Sequence, residues 1–589
     1  MKNTINLINL QINKNSKKIN NLKLSLNNTF AIGDWCELHD NYFTEKRKFK
    51  SLNFYKWDNH KKKTEDIKEI LKTYKFFLSF LSLRLNKIHK KNYNKKSWEI
   101  ILSRWLFTYI TNLYARWEIV KKIKKNYNIN LLVTHNFKDK DFIPDTSKHS
   151  HWMMQSPEND FWNTMIFNKI LKFSSEKKIK NKYFKTKAIN NKLFSEQKKI
   201  FYSDVINYNK NKKIFFYNLS LDKKYKILMM YQNSFLNIIL KNKEIKLNKK
   251  VNFKKRDLLL GVKESSRTTF SDFIFSDLKF SIPKIFVENF SELENVYKNI
   301  NWPKNPDYIL TSYGQYYDEL FKLYCAMNIK KSKLFILQHG YNNIFADGDF
   351  YAGNLDKKIS DKFLTWGRNF KNNSHPFIYP FHKFKLSKNK SNSKKIILIL
   401  YAFNEKPTHP LNGFVNANEK NYTTVKLVEK LIQNSQTIIK KNFSAKLLSN
   451  GLTKNVENSL AYRFPDLKFI NKKKPFSEIM NDYGISIHLF LGTPFLESMY
   501  HDKPCILIFE KRMHMNFDKK FLLMLKKLKD NNICFNSANE ASKFLNKNSN
   551  NIYKWWDNKK VKNIKKEFCN MYCNNFNSNK DVFKKLFNY

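Results

Sequence analysis

A chain of 589 residues is too long for one hydrophobic core and calls for about three units of roughly 100–200 residues each. A hydrophobic fraction of 42% and an aromatic fraction of 16% exclude disorder over most of the length, since a disordered chain needs low hydrophobicity as well as high charge. The formal charge of +59 would suit a nucleic-acid binder, yet the lysines are scattered from end to end and no RRM, KH, zinc-finger or helix-turn-helix signature accompanies them, so no nucleic-acid partner is expected.

Abundant Lys, Asn, Ile, Phe and Tyr beside only 11 Gly and 13 Pro is the bias that AT-rich codons produce. An anionic membrane surface accounts for the charge at least as well as nucleic acid, at about 1 kcal/mol per basic residue near the surface. Six cysteines form no disulfide framework and read as free thiols of a reducing compartment. No secretory signal opens the chain, and the most apolar run, Phe76 to Leu83, is shorter than the roughly 20 residues a membrane span needs. The expected location is the cytoplasm, peripheral at the inner face of the membrane.

In chain order, residues 1–28 are polar, low in complexity and expected to lack firm structure. An N-terminal α/β domain is expected over 29–370. It begins with a short strand running into Gly33-Asp34-Trp35-Cys36-Glu37. From Thr64 to Lys125 apolar residues recur at helical spacing, including Ile67, Ile70, Leu71, Tyr74, Phe77 and Leu78, then Trp98, Ile101, Trp105, Tyr109 and Trp117. These predict two long helices in a helical insertion over about 64–250, whose Lys- and Asn-rich second half reads as helices and loops.

From Asp307 the pattern changes to strand, helix, strand: Tyr308–Leu310, a helix over Asp318–Asn328, and Leu334–Leu337 running into Gln338-His339-Gly340. A further strand, Phe363–Trp366, follows. Residues 371–394 read as a linker. A C-terminal α/β domain over 395–589 opens with Lys395–Leu400. It continues with a strand over Ile485–Phe490, a helix over Pro494–His501 and a buried strand over Pro504–Phe509. The expected fold is α/β, with two Rossmann-type parallel-sheet domains and an N-terminal helical extension.

Ligands of parallel sheets bind beyond the carboxyl ends of the strands, which selects few residues. His339 follows a buried strand and, with a reference pKa near 6.5, suits a base or a hydrogen-bond partner for phosphate or hydroxyl; Gly340 lets the chain turn sharply there. A histidine that only satisfies local backbone groups is the alternative. Gly492 and Thr493 fall at the mouth of a strand, with Thr493 a natural N-cap and Pro494 suited to the first helical position. That helix start offers N–H groups and a positive dipole end to a diphosphate, with Glu497 one turn in for a ribose or sugar hydroxyl. An ordinary capped junction explains the same residues.

Arg267 is a candidate for a bidentate pair with a phosphate, and Arg104, Arg116 and Arg368 stand out because Arg is scarcer here than Lys. Asp34 and Glu37 are close enough to share a site, and Asp34 rivals His339 as base for an acceptor hydroxyl. Walker A, Gly-x-Gly-x-x-Gly, His-Glu-x-x-His and Gly-x-Ser-x-Gly motifs do not occur. Asp347-Gly348-Asp349 reads as a solvated turn rather than a cation site, so no metal and no cofactor are expected.

Gly33-Asp34-Trp35-Cys36, the Trp-rich stretch Trp98–Trp117, Gln338-His339-Gly340, Ser360-Asp361 with Thr365-Trp366-Gly367, and Thr493–Glu497 ahead of Pro504–Phe509 occur in one order along the chain. In that order and spacing the sequence resembles a family of transferases from bacterial O-antigen and surface-polysaccharide clusters. It departs from that family in carrying Asp34 where Glu is usual and Tyr341-Asn342-Asn343 where glycine is richer. The resemblance implies a GT-B-like transferase with a nucleotide sugar as donor and a carbohydrate or lipid-linked acceptor. It places Trp35, Glu37, Asp361 and Trp366 on the acceptor side or in structural roles.

Overall fold

A computed structural model describes residues 2–12, 15–36, 48–52, 60–155, 160–175, 179–184, 199–209, 214–261, 269–340, 352–367, 373–379, 393–401, 417–447, 454–471, 473–509, 517–574 and 582–587. Among these, three parallel sheets and one two-stranded antiparallel sheet form the framework.

The first sheet holds β1 (Asn3–Asn9), β2 (Thr29–Ala31), β3 (Lys50–Ser51), β4 (Tyr127–His135) and β5 (Lys180–Phe184) in the order β3-β2-β1-β4-β5. β1 therefore lies in the middle, paired in parallel with both β2 and β4. Residues 1–28 are thus not without firm structure: Ile5, Leu7, Ile8 and Leu10 are core residues. The reason is local. Asn9 interrupts the apolar run, but its amide is itself buried and donates to Thr164 O and Asn168 Oδ1, both at 2.9 Å, so polarity in the sequence does not mean exposure in the fold.

The two long helices, His60–His89 and Lys95–Asn126, stand between β3 and β4. They are an insertion within the first sheet's chain path rather than a layer ahead of the sheets. Helix Lys95–Asn126 is buried on most of its faces from Trp98 to Val120, which makes it the central packing element of this half. Polar groups on it are satisfied inside: Tyr109 donates to Asp277 at 2.8 Å, and Arg116 donates to Asn163 Oδ1 at 2.7 Å and to Asn112 O at 2.8 Å.

β6 (Lys199–Asn209) and β8 (Phe235–Lys246) pair antiparallel, with β7 (Ile214–Tyr217) and helix Lys223–Gln232 between them in sequence. Strands thus occupy much of a stretch expected to hold helices and loops. Lysines and asparagines interspersed along both strands, one of them the buried Asn237, conceal the period-two pattern there. The second sheet runs β12-β11-β10-β9-β7, with β9 (Tyr308–Thr311), β10 (Lys333–Leu337), β11 (Lys362–Thr365) and β12 (Ser374–Pro376).

The third sheet holds β13 (Ile396–Leu400), β14 (Phe443–Leu447), β15 (Lys468–Phe469), β16 (Ile485–His488), β17 (Cys505–Ile508) and β18 (Cys534–Phe535), ordered β15-β14-β13-β16-β17-β18. That is the doubly wound order 3-2-1-4-5-6, and the first sheet repeats its 3-2-1-4-5 part. β13, β16 and β17 are buried throughout, as strands covered by helices on both faces must be. The α/β, parallel-sheet class is as expected, with two Rossmann-ordered sheets and a third parallel sheet between them in sequence. Among the described residues no helix is long and apolar enough to cross a membrane.

Candidate functional site

In a doubly wound sheet the ligand crevice opens where strand order reverses, here between the carboxyl ends of β13 and β16. Helix Thr493–Tyr500 starts beside that point. Gly492, not Thr493, is its N-cap, with extended backbone at φ −144°. A Cβ on Gly492 would lie 2.1 Å from the Phe490 ring, so only glycine lets the chain pass. Thr493 is then the first helical residue and Pro494 the second, which leaves the helix start without a side-chain cap. Beneath it, buried His488 meets Ser486 Oγ at 2.9 Å and Ser498 Oγ at 3.3 Å, tying helix to strand. Burial lowers its pKa to about 3.

Glu497 lies one turn into this helix, and burial raises its carboxyl to about 7. It faces the second sheet: burial, then the Glu497 charge, pushes the Tyr379 hydroxyl well up. Tyr379 packs against Trp366 at 5.2 Å and Tyr500 at 4.8 Å. Trp366 donates its indole N–H to Gln338 O and its backbone N–H to Gln338 Oε1, both at 3.0 Å. Gln338, Trp366 and Tyr379 therefore join the mouth of β10 to the Glu497 helix. Trp366 is a buried strut at the junction.

His339 stands at that mouth, and Gly340 after it has φ +77° with open space where a side chain would be. The His339 ring sits 4.5 Å from Tyr313 and 4.6 Å from Tyr316, edge to face with the latter. Burial, then the nearby Arg104 charge, lowers its pKa to about 4, so the ring is neutral at pH 7. Its Nδ1 is buried and has no hydrogen-bond partner among the described residues. Arg104, from the central helix, lies 3.7 Å over the Tyr316 ring. Burial works against its charge, but Tyr316, Asp356 and Tyr317 outweigh that and hold its pKa above the usual value.

Tyr316 donates to Asp356 Oδ2 at 3.2 Å. His151, from helix Ser147–Gln155, faces Tyr317 at 4.9 Å; burial and Arg104 lower its pKa to about 3, and its Nδ1 too is buried without a partner among the described residues. Two neutral imidazoles thus flank one guanidinium in a pocket of tyrosines. Such a pocket can accept hydrogen bonds from hydroxyls and hold an anion at once. Tyr313, Tyr316 and Tyr317 follow β9 directly, so the strand-end rule would have found them. His151 and Asp356 carry no comparable sequence signal.

The remaining candidates fall elsewhere. Asp34, buried at 4%, begins the short 3-10 turn Asp34–Cys36 at the carboxyl edge of the first sheet, and no contact between described residues joins it to His339. Trp35 stacks on Phe167 at 5.5 Å and takes the space over Gly33, a packing role. Asp361 accepts from Leu334 N–H at 2.7 Å at the amino ends of β10 and β11, opposite His339, where it pins strand register. Glu37, Arg267, Arg368 and Asp347-Gly348-Asp349 lie outside the described residues. Arg256, beside the Arg267 segment, is committed to a buried bidentate pair with Glu288 at 2.7 and 2.8 Å. Among the described residues no cluster of three or more His, Cys, Asp or Glu could hold a metal ion.

The chain belongs to the LIC12162 family of transferases, whose model matches residues 15–587. Among solved structures it is similar to Anabaena HepE, determined with UDP and glucose, at 12% identity over 64% of this chain and 100% of that one, with a TM-score of 0.35. It is also similar to the wall teichoic acid polymerase TagF, at 9% identity over 50% of this chain and 82% of that one, with a TM-score of 0.29. No curated protein sequence matches it.

Proposed function

We propose that this transferase moves a glycosyl group from a nucleoside-diphosphate donor to a hydroxyl of a carbohydrate or lipid-linked acceptor of surface polysaccharide, without a metal. The observation that carries the proposal is the neutral His339, with an unpartnered Nδ1 beside Arg104, joined by three packed residues to a helix start that has no side-chain cap and to its Glu497. Membership in a transferase family supplies the reaction type.

In this reading the acceptor hydroxyl attacks the anomeric carbon, the bond to the diphosphate oxygen breaks, and the hydroxyl proton passes to His339. The helix start at Thr493 and its dipole take the leaving diphosphate, while Glu497 accepts from or donates to a ribose or sugar hydroxyl. Near pH 7 the empty site holds His339 neutral but weakly basic. A donor phosphate charge about 5 Å away contributes roughly 3 kcal/mol at an effective dielectric near 20, enough to raise the basicity of the imidazole back toward its usual range.

Product formation from a panel of nucleotide sugars, followed by released nucleoside diphosphate, tests this. Wild type should release one diphosphate selectively. His339→Ala should slow release by about 10²-fold or more, at an unchanged melting temperature. Equal release by wild type and the folded variant would remove His339 from the reaction.

A further inference from the structure

The β6–β8 pair breaks the usual rule for a strand face in water. β8 alternates over Phe235 to Ile238: Phe235 and Asn237 point inward and are buried, while Leu236 and Ile238 point outward and are 41% and 45% exposed. Leu240, on the same side of the strand, is 41% exposed, and Ile239 beside the ladder's register shift is 44% exposed as well. Across the ladder Val205 is buried, whereas Ile206, directly opposite Ile238, is 47% exposed. Four aliphatic side chains thus occupy one outward face where an antiparallel pair normally presents polar residues. The inner face is already accounted for, since Asn237 Oδ1 accepts from Phe216 N–H and binds the strand pair to β7. On the adjoining helix Lys223–Gln232, Ile227 and Tyr231 are one turn apart and 62% and 83% exposed. Contiguous exposed apolar residues on this scale mark a contact surface.

The charge around this face selects its partner. Between Lys199 and Lys250 stand twelve lysines against three acids. Of these, Lys223, Lys224, Lys243 and Lys246 are exposed. A symmetric contact with a second copy would bring this lysine-rich segment against itself, so like charges oppose self-association. An anionic bilayer offers both what the aliphatic face and what the lysine fringe need.

We propose that the outward face of the β6–β8 pair docks the protein on an anionic lipid surface, with Ile206, Leu236, Ile238 and Leu240 entering the interface and the flanking lysines meeting lipid phosphates. The inference stands on this surface alone and does not depend on the role of His339 or Glu497.

Co-flotation of the full chain with vesicles tests it, using phosphatidylcholine alone or with one-third phosphatidylglycerol, at low and high salt. The protein should float with the anionic vesicles and much less with the neutral ones, and high salt should weaken the association. Ile206→Ser/Ile238→Ser/Leu240→Ser should reduce the bound fraction at least tenfold at an unchanged melting temperature. The single Ile238→Asp variant, which leaves the inward face untouched, provides the same reading should the triple variant be unstable. Flotation of these variants at the wild-type level would overturn the proposal, since scattered charge alone would then explain binding. A wild-type dimer in light scattering that the Ile238→Asp variant dissolves would overturn it too, in favour of a second copy.

Discussion

At His339 the same feature that makes the residue findable also limits it. It ends a buried strand, so it is desolvated, and desolvation beside Arg104 lowers its basicity. Arg104 is the more telling residue, because it belongs to a helix far away in sequence and couples to Tyr316, Tyr317, Asp356, His151 and His339. Arg104→Lys keeps a charge but loses the planar stack on Tyr316, so transfer should fall about tenfold or more while the fold is kept, as activity and circular dichroism together would report. Glu497 gives a prediction with a definite sign. Its folded pKa, about 7, exceeds the usual carboxyl value of 4.5. Below pH 4.5 both folded and unfolded states are protonated and the group costs nothing. As pH rises toward 7 the unfolded chain releases its proton first, so the folded state loses up to on the order of 3 kcal/mol. Denaturant unfolding of Glu497→Gln should match wild type near pH 4.5 and exceed it near pH 8; a constant difference at both values would contradict the burial of this carboxyl.

Among the elements, the strand ends and helix starts that carry the site were legible because their signals are local. Tyr308–Leu310, Leu334–Leu337, Lys395–Leu400 and the Gly-Thr-Pro helix start are short buried runs ending in small or turn-forming residues, and the structure keeps all of them within one or two residues. The two glycines of the site should separate by mechanism. Gly340→Ala meets open space but keeps a φ of +77°, costing about 1 kcal/mol of backbone strain. Gly492→Ala has an easy backbone but drives a Cβ into Phe490, costing about 1–3 kcal/mol and moving the helix start. Thermal unfolding of the two variants, with donor affinity measured alongside, should therefore show Gly492→Ala to be the more damaging on both counts. What was not legible is instructive. β1 hides its core positions among asparagines, of which Asn9 is itself buried and hydrogen-bonded, and β6 and β8 carry lysines and asparagines through their ladders. The pocket partners His151 and Asp356 come from helices whose meeting with β10 is a property of packing, not of spacing.

For the whole molecule, three parallel sheets share the work. The third presents its order-reversal point to the Gly492 helix, the second presents His339, and Trp366 and Tyr379 fasten the two edges together. The first sheet and its inserted helical pair support the second through Arg104 and His151. Deleting residues 1–12 would remove the middle strand of the first sheet and expose both its neighbours, so the truncated chain should lose cooperative unfolding rather than merely a disordered tail. The large positive charge then has a local use at the β6–β8 face instead of a global one. The central claim, donor binding between the Gly492 helix and the second sheet, is tested most directly by isothermal titration of nucleoside diphosphates and nucleotide sugars into wild type and a Thr493→Ala/Glu497→Ala variant at fixed salt. The account predicts selective binding of one base class by wild type, insensitive to moderate salt, and at least tenfold weaker binding by the folded double variant. Equal affinity in both proteins, or binding of every polyanion that salt abolishes, would contradict it.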